Sequence, residues 1–269
     1  MTESTKTEST AKLRVLVDDG VARILIDNGE RRNAFDFSMW RALPSLLGSL
    51  DADASVRVVV LTGAPSLPFC SGADISEFST VRATAEGGRA YEQANVEAFD
   101  ALSRLGKPVI AAIAGFCMGG GMGLAAACDL RIAAEACVFG IPAGRLGVGY
   151  PPEAMSYVVA AVGPQNAMDL FFTARRMNVE EARAAGFVSR VLPKDGFDAA
   201  IMTIAKGVAA NAPLTLRAAK AAIRRAAGLP HALSAEDCER LTAACFDSAD
   251  YAEGRTAFLE KREPKFAGS

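Results

Sequence analysis

FCSGADISEF (residues 69–78) and KPVIAAIAGFCMGGGMGLAAACDLRIA (residues 107–133) are the two stretches that decide how this chain folds. The second stretch predicts a buried strand over residues 109–113, a tight glycine turn and an alanine-rich helix that begins near Met122. A β-branched run over residues 56–62 predicts another buried strand, which the first stretch follows. Repeated strand-to-helix units with mostly buried strands predict an α/β domain.

Hydrophobic periodicity extends this organisation to both ends of the chain. Alternating apolar residues on either side of Asp18, Asp19 and Gly20 predict an N-terminal hairpin. Apolar residues at helical spacing predict helices over residues 38–50 and 84–105. Towards the C-terminus the pattern is purely helical, with helices predicted over residues 199–211, 214–227 and 235–248. We therefore divide the chain into three parts, a disordered N-terminal tail (1–10), an α/β core (11–196) and a C-terminal helical region (197–269).

Composition excludes several classes of function. The chain has 269 residues, of which 51% are hydrophobic and 22% charged, which predicts a large globular domain. A formal net charge of -2 leaves no basic footprint for nucleic acid. Six cysteines without a CxxC pair, together with a single histidine, provide neither a zinc site nor a redox dithiol. We therefore expect reduced, buried thiols and no metal.

Two segments bear on localisation. The first ten residues, MTESTKTEST, are polar and lack the apolar run of a signal peptide, so we predict a cytoplasmic protein. Residues 108–128 carry no charge and approach the length of a membrane span. Five glycines divide this stretch into strand and helix pieces, so we predict that it does not enter a membrane.

The two opening stretches resemble the oxyanion-hole segments of the crotonase superfamily, which comprises enoyl-CoA hydratases, enoyl-CoA isomerases and their relatives. The resemblance continues through NGERRNAF (residues 28–35) to EGRTAFLEKREPKF (residues 253–266), so it covers nearly all of the chain. It implies a crotonase-like α/β superhelix of ββα turns with a C-terminal helical region for oligomerisation, as a homotrimer or a dimer of trimers. It also implies an acyl-CoA substrate, with coenzyme A as part of that substrate and no separate cofactor.

The resemblance assigns the backbone N–H groups of Ala73 and Gly120 to the oxyanion hole. Two such donors aimed at a thioester oxygen stabilise the charge that develops there when an enolate forms. Glycine suits these segments because it lets the backbone approach a ligand closely. The matched segments also imply substrate-binding positions around the donors, namely Ser71, Gly72, Asp74, Ile75 and Gly119. We further expect Asp74 to cap a turn.

Both catalytic glutamates of the hydratases are missing. The positions that carry them in relatives read Gly123 in GGGMG and Ala143 in FGIPAG. Hydration needs a base to activate water and an acid to protonate the α-carbon, so we expect ordinary hydratase activity to be weak or absent. Glu153 is the first replacement candidate, because it is the nearest carboxylate downstream of Ala143. The alternative role for Glu153, which follows Pro152, is to stabilise the first turn of a helix.

Two arginines are candidate contacts for the ligand. Arg31, with Arg32 beside it, could replace a CoA phosphate contact that relatives obtain from a lysine where this chain has Ser76. Arg145 lies two residues beyond Ala143 and could meet an acidic acyl tail. Both arginines also fit solvated loop or surface positions, where arginine is common.

The sequence favours one function and leaves two alternatives. The favoured function is that of an enzyme of the enoyl-CoA hydratase/isomerase family, of lyase or isomerase type, which stabilises the enolate of a bound acyl-CoA with a non-standard acid/base set. The first alternative is a non-catalytic acyl-CoA binding protein. The second treats Gly121, Gly123 and Ala126 as a GxGxxA dinucleotide fingerprint. That fingerprint needs an acidic residue at the end of a second strand about 20 residues on, whereas the next strand begins almost at once at Leu130.

Overall fold

A computed structural model describes residues 11–269, and the predicted disordered tail (residues 1–10) lies outside them. Within this range the chain forms nine strands, β1 (Leu13–Asp18), β2 (Val21–Ile26), β3 (Val58–Gly63), β4 (Val109–Ile113), β5 (Phe116–Met118), β6 (Leu130–Ala134), β7 (Val138–Gly140), β8 (Arg176–Asn178) and β9 (Arg190–Leu192). The same range holds eleven α-helices, α1 (Phe37–Ala52), α2 (Ala85–Arg104), α3 (Gly120–Ala127), α4 (Ala143–Leu146), α5 (Pro152–Val162), α6 (Pro164–Thr173), α7 (Val179–Ala184), α8 (Phe197–Ala209), α9 (Pro213–Ala226), α10 (Ala235–Phe246) and α11 (Ala249–Glu260).

Two sheets organise these elements. The main sheet has six strands in the order β1-β2-β3-β4-β6-β9. Its first pair, β1 and β2, is antiparallel, whereas the other neighbours run parallel. The second sheet has the order β5-β7-β8, with β5 parallel and β8 antiparallel to β7. This mixed architecture, followed by helices alone, confirms the predicted α/β class with a helical C-terminal region.

The strands and the first helices follow the sequence pattern. Asp19 and Gly20 form the two-residue turn between β1 and β2 with φ angles of 50° and 77°, as a type I′ turn requires. All five residues of β4 are buried, and so are the first five of β3, which explains why neither strand alternates apolar with polar residues. Helices α1 and α2 begin and end within two residues of the predicted bounds.

Two elements differ from the prediction. Strand β5 occupies residues predicted as part of the glycine turn, and α3 begins at Gly120 rather than near Met122. A three-residue strand leaves no periodicity in the sequence, because distant partner segments specify it. Helix α8, the first helix of the predicted C-terminal region, packs Phe197, Ile201 and Ala205 against the main core.

The stretch predicted not to enter a membrane, residues 108–128, forms β4, β5 and α3. Within the described residues, no single helix has the length and apolar composition to cross a membrane. Helices α8 and α9 pass that test only as a pair, and the chain bends by 99° between them.

Asp129 links the C-terminal helices to the main sheet. Its carboxylate accepts a hydrogen bond from the Val109 N–H at the start of β4 (2.8 Å) and pairs with Lys220 of α9 (2.8 Å). Lys220 also donates to the Lys107 carbonyl, and its side chain is only 9% exposed. Because water does not reach this ion pair freely, removing one partner leaves the other charge without compensation.

We expect Asp129→Ala to lower the free energy of unfolding by about 3 kcal/mol, because the substitution removes the partner of a buried ammonium group. Urea unfolding at a fixed protein concentration measures this loss. Glu260→Ala is the matched control, since it removes an exposed pair with Arg262 and should cost less than about 1 kcal/mol. Equal losses in the two variants would contradict the linking role of Asp129.

Candidate functional site

The segment that follows β3 lies between two other stretches of backbone. On one side, the Cys70 N–H donates to the Phe116 carbonyl (2.9 Å) and the Met118 N–H donates to the Cys70 carbonyl (3.0 Å). On the other side, the Phe35 N–H donates to the Gly72 carbonyl (2.8 Å). These bonds bring together the two sequence stretches that decide the fold, together with the NAF segment that precedes α1.

Glycines are required where these segments meet. Gly72 has a φ of 108° and Gly119 a φ of 50°, both in the left-handed region that favours glycine. Gly121 follows in the first turn of α3, where a Cβ would lie 2.8 Å from the Cys70 carbonyl oxygen. Only a residue without a side chain allows the first turn of α3 to pack this closely on the neighbouring backbone.

Two backbone N–H groups leave this junction without acceptors. Neither the Ala73 N–H nor the Gly120 N–H donates a hydrogen bond to any residue that the structure describes. The two groups are neighbours, since a Cβ built on Gly120 would lie 3.9 Å from the Ala73 nitrogen. Gly120 is also the first residue of α3, whose dipole favours negative charge at this end. The pair is therefore a candidate binding site for a partly negative oxygen.

Both donors line a cavity of about 130 Å³. Four predicted substrate-binding positions line it with them, Ser71, Gly72, Ile75 and Gly119, and so does Ala143. Most of the remaining lining is apolar and comes from Phe78, Phe99, Pro142, Leu146, Val148 and Ala154. The cavity thus combines an apolar wall with a pair of free backbone donors.

Five predicted site positions lie outside this lining, namely Asp74, Arg31, Arg145, Glu153 and Gly123. The Asp74 carboxylate accepts from the Ser76 N–H (2.9 Å) and caps the short 3-10 helix Ile75–Ser79, as expected for its turn role. Arg31 is more than half exposed and pairs with Asp74 at 3.9 Å, and Arg145 is exposed on α4. Glu153 is exposed in the first turn of α5. Glu153 thus occupies the helix-start position that its alternative role predicts, and it does not line the cavity.

Phe99 explains why position 123 carries no carboxylate. A Cβ built on Gly123 would lie 2.7 Å from Cε2 of the Phe99 ring, which fills the space that a longer side chain would need. The Phe99 ring is itself fixed by edge-to-face contacts with Trp40 and Tyr157, at centroid distances of 5.8 and 6.2 Å. Gly121 and Gly123 therefore serve close packing, and the GxGxxA spacing does not require a bound dinucleotide.

Helix α2 contributes polar side chains that the sequence analysis missed. Glu92, Asn95 and Phe99 follow one face of the helix and line the cavity. Arg82 lies beside them, with Nη2 at 2.7 Å from Glu92 Oε1. Burial raises the pKa of the Glu92 carboxyl, although the Arg82 guanidinium acts in the opposite direction. The spacing of residues 92, 95 and 99 places them on one face of a predicted helix. Sequence alone does not show that this face of α2 meets the cavity.

Tyr150 adds a hydroxyl group to the cavity. Its ring packs edge to face against Phe171 with centroids 5.0 Å apart, and a Cβ built on Gly119 would lie 3.8 Å from the hydroxyl oxygen. The hydroxyl makes no hydrogen bond within the part of the chain that the structure describes, and burial raises its pKa. It is therefore a neutral donor available to a ligand near the glycine turn.

The thiols near the junction are inert. Cys70 and Cys117 are fully buried and do not line the cavity. Burial raises the pKa of Cys70 to about 12 and that of Cys117 well above the usual range. Since the thiolate is the nucleophile in cysteine chemistry, neither side chain is a candidate nucleophile. The described residues also contain no group of three His, Cys, Asp or Glu side chains that could hold a metal ion.

The fold and the cavity define a class of protein: an α/β crotonase fold with a helical C-terminal region and two backbone donors at one apolar cavity. The sequence profile of the family described as enoyl-CoA hydratase/isomerase matches residues 17–269. The chain therefore belongs to the enoyl-CoA hydratase/isomerase family.

Relatives named for different reactions are similar to this chain to about the same extent in sequence identity. A crystal structure of an enoyl-CoA hydratase/carnithine racemase from Magnetospirillum magneticum superposes with a TM-score of 0.91 at 36% identity, covering 97% of both chains. The peroxisomal Delta(3,5)-Delta(2,4)-dienoyl-CoA isomerase of Arabidopsis thaliana is 32% identical over 95% of both chains. The short-chain-enoyl-CoA hydratase of Clostridium acetobutylicum is 34% identical, covering 90% of this chain and 92% of its own. Family membership alone does not select one of these reactions.

We expect Gly123→Ala to lower the free energy of unfolding by about 1–3 kcal/mol, because the added methyl group overlaps the fixed Phe99 ring. Urea unfolding measures the change. In a Phe99→Leu background the penalty should shrink, since the overlapping ring is gone.

Gly48→Ala is the control for this substitution. Gly48 is exposed in α1 with nothing within 4 Å of an added Cβ, so alanine should stabilise the helix by up to about 1 kcal/mol. An undiminished free energy of unfolding for Gly123→Ala would show that the Phe99 ring yields and that position 123 can accept a side chain.

Proposed function

We propose that this chain is an enzyme that binds an acyl-CoA thioester in the cavity and stabilises its enolate. The observation that carries the proposal is the pair of acceptor-free N–H groups of Ala73 and Gly120 at one apolar cavity. A thioester oxygen placed between them would receive two hydrogen bonds that strengthen as negative charge develops. Coenzyme A enters as part of the substrate, and this chemistry needs no further cofactor.

Cavity size supports a short acyl group. A cavity of about 150 Å³ in a protein core holds a ligand the size of benzene, and the cavity beside Ala73 and Gly120 measures about 130 Å³. Its apolar wall, which includes Phe78, Phe99 and Val148, suits a hydrocarbon chain. We therefore propose an acyl group of roughly four to six carbons, similar in size to benzene.

The residues at positions 123 and 143 argue against ordinary hydration, because neither carries a carboxylate. Gly123 faces the Phe99 ring, and Ala143 lines the cavity with a methyl group. Each positioned acid or base typically contributes about 10² to 10⁴-fold to a rate, so the loss of both leaves a weak hydratase. We propose a reaction of lyase or isomerase type with a different acid/base set, and the same two substitutions support a non-catalytic acyl-CoA binding protein as the alternative.

Assembly as a homotrimer or a dimer of trimers forms part of the proposal. Several large apolar side chains are exposed on the C-terminal helices, namely Ile223, Phe246, Phe258 and Leu259. Exposed large apolar side chains on these helices are consistent with contacts between subunits.

Butyryl-CoA should bind about tenfold more tightly than S-butyl-CoA, the thioether that lacks the carbonyl oxygen, because only the thioester accepts hydrogen bonds from Ala73 and Gly120. Titration calorimetry of the two ligands measures the difference. The comparison leaves the protein unchanged, so the two ligands meet the same fold. Equal affinities would contradict the oxyanion hole.

Crotonyl-CoA should bind but be hydrated at least about 100-fold more slowly than by a relative that carries both glutamates, because two proton-transferring groups are absent. Loss of the conjugated-thioester absorbance follows hydration directly. The short-chain-enoyl-CoA hydratase of Clostridium acetobutylicum can serve as the reference enzyme. A comparable rate in this chain would overturn the expectation of weak hydration.

A further inference from the structure

Glu92 is the only carboxylate among the described residues that line the cavity with Ala73 and Gly120. It lies on helix α2, seven residues before Phe99, and the two side chains share one helical face. The helix that closes position 123 with an aromatic ring thus brings a carboxylate into the same cavity. This arrangement places an acid/base group in the cavity without using either family position.

Arg82 holds one oxygen of Glu92 and leaves the other available. The Arg82 guanidinium lies 4.5 Å from the centroid of the Phe78 ring and 4.7 Å from that of Tyr91, and it donates to Glu92 Oε1 at 2.7 Å. Its side chain is only 10% exposed, so the surrounding side chains hold the guanidinium in place. Glu92 Oε2 has a single long contact, to Asn95 Nδ2 at 3.5 Å, and that amide already donates to the Tyr91 carbonyl at 2.9 Å.

Burial and charge act on the Glu92 carboxylate in opposite directions. The Glu92 side chain is 20% exposed, and its partial burial makes the carboxylate more basic than one in water. The positive charge of Arg82 acts against this effect of burial and favours the ionised carboxylate. A partly desolvated carboxylate with one oxygen free of close contacts therefore lines the same cavity as the two donors that would stabilise an enolate.

We propose that Glu92 takes and returns the α-proton of the thioester bound in this cavity. The inference rests on the proposed function, which supplies the thioester. Oε2 removes the proton, the C–H electron pair becomes the double bond between the α-carbon and the carbonyl carbon, and the negative charge moves to the oxygen held by Ala73 and Gly120. Return of the proton from Glu92 to carbon restores the carboxylate.

One carboxylate is enough for these two proton transfers. With a 3-enoyl thioester, return of the proton to the γ-carbon instead of the α-carbon moves the double bond into conjugation with the thioester. No water is added and no second acid is needed. This agrees with the absence of a carboxylate at Gly123 and at Ala143. The substrate class is therefore a short acyl-CoA with an acidified α-proton, and the reaction class is proton transfer between carbons.

The test uses but-3-enoyl-CoA in deuterium oxide with the full-length protein. Mass spectrometry measures deuterium entering the acyl group, and absorbance measures the conjugated product, both after subtraction of the protein-free rate. Glu92→Gln should lower the rate of exchange by about 10² to 10⁴-fold, while the Kd of butyryl-CoA stays within about threefold of the wild-type value, as expected when ground-state binding is kept. Glu92→Asp keeps the charge on a shorter side chain and should retain part of the exchange, so it decides the matter if the glutamine variant does not fold.

Glu97→Gln is the matched control. Glu97 is on the same helix, is exposed and bonds to Gln93, so its replacement should leave both exchange and binding unchanged. Wild-type exchange in Glu92→Gln, or loss of exchange only in proportion to lost butyryl-CoA binding, would overturn the role of Glu92. Wild-type protein that binds butyryl-CoA without exchange would overturn the proton transfer alone, whereas absence of binding would overturn the proposed function itself.

Discussion

The hydrogen bonds between Cys70 and strand β5 are the constraint on which the site depends. They join a segment that leaves β3 to one that follows β4, and the neighbouring parallel strands deliver both to the same place. Gly72 and Gly119 then turn the two segments with positive φ angles, so that the next residues, Ala73 and Gly120, keep their N–H groups free of internal acceptors. Folded backbones pair most of their N–H groups, whereas these two half-buried donors stay available to a ligand.

Helix α2 decides which side chains meet those donors. Its Phe99 ring packs on Gly123, and the same helical face carries Glu92 towards the cavity. A carboxylate at position 123 and the aromatic ring at position 99 exclude each other on steric grounds, because interiors are packed without spare volume. The residue at position 123 therefore depends on the side chain that α2 presents to it.

Sequence alone predicted the elements whose signals are local. The buried strands β3 and β4, the hairpin turn at Asp19 and Gly20 and the helices α1 and α2 all follow from periodicity and turn chemistry. The matched motifs also led to Ala73 and Gly120, which the structure brings to one cavity. Strand β5 was not predicted, because three residues show no periodicity and the strand with which they pair is distant in sequence. The position of Glu92 on the cavity wall was not predicted, because the direction in which a helical side chain points depends on how the whole helix packs.

The burial of Cys70 has a consequence for the chemical survival of the protein. Conjugated thioesters are electrophiles that thiolates attack by conjugate addition, and Cys70 lies directly beneath the backbone that would hold such a compound. With no exposed surface and a pKa raised to about 12, its sulfur remains a protonated thiol. Under the proposed function, a reactive conjugated thioester bound at this site would therefore not modify the protein covalently at Cys70.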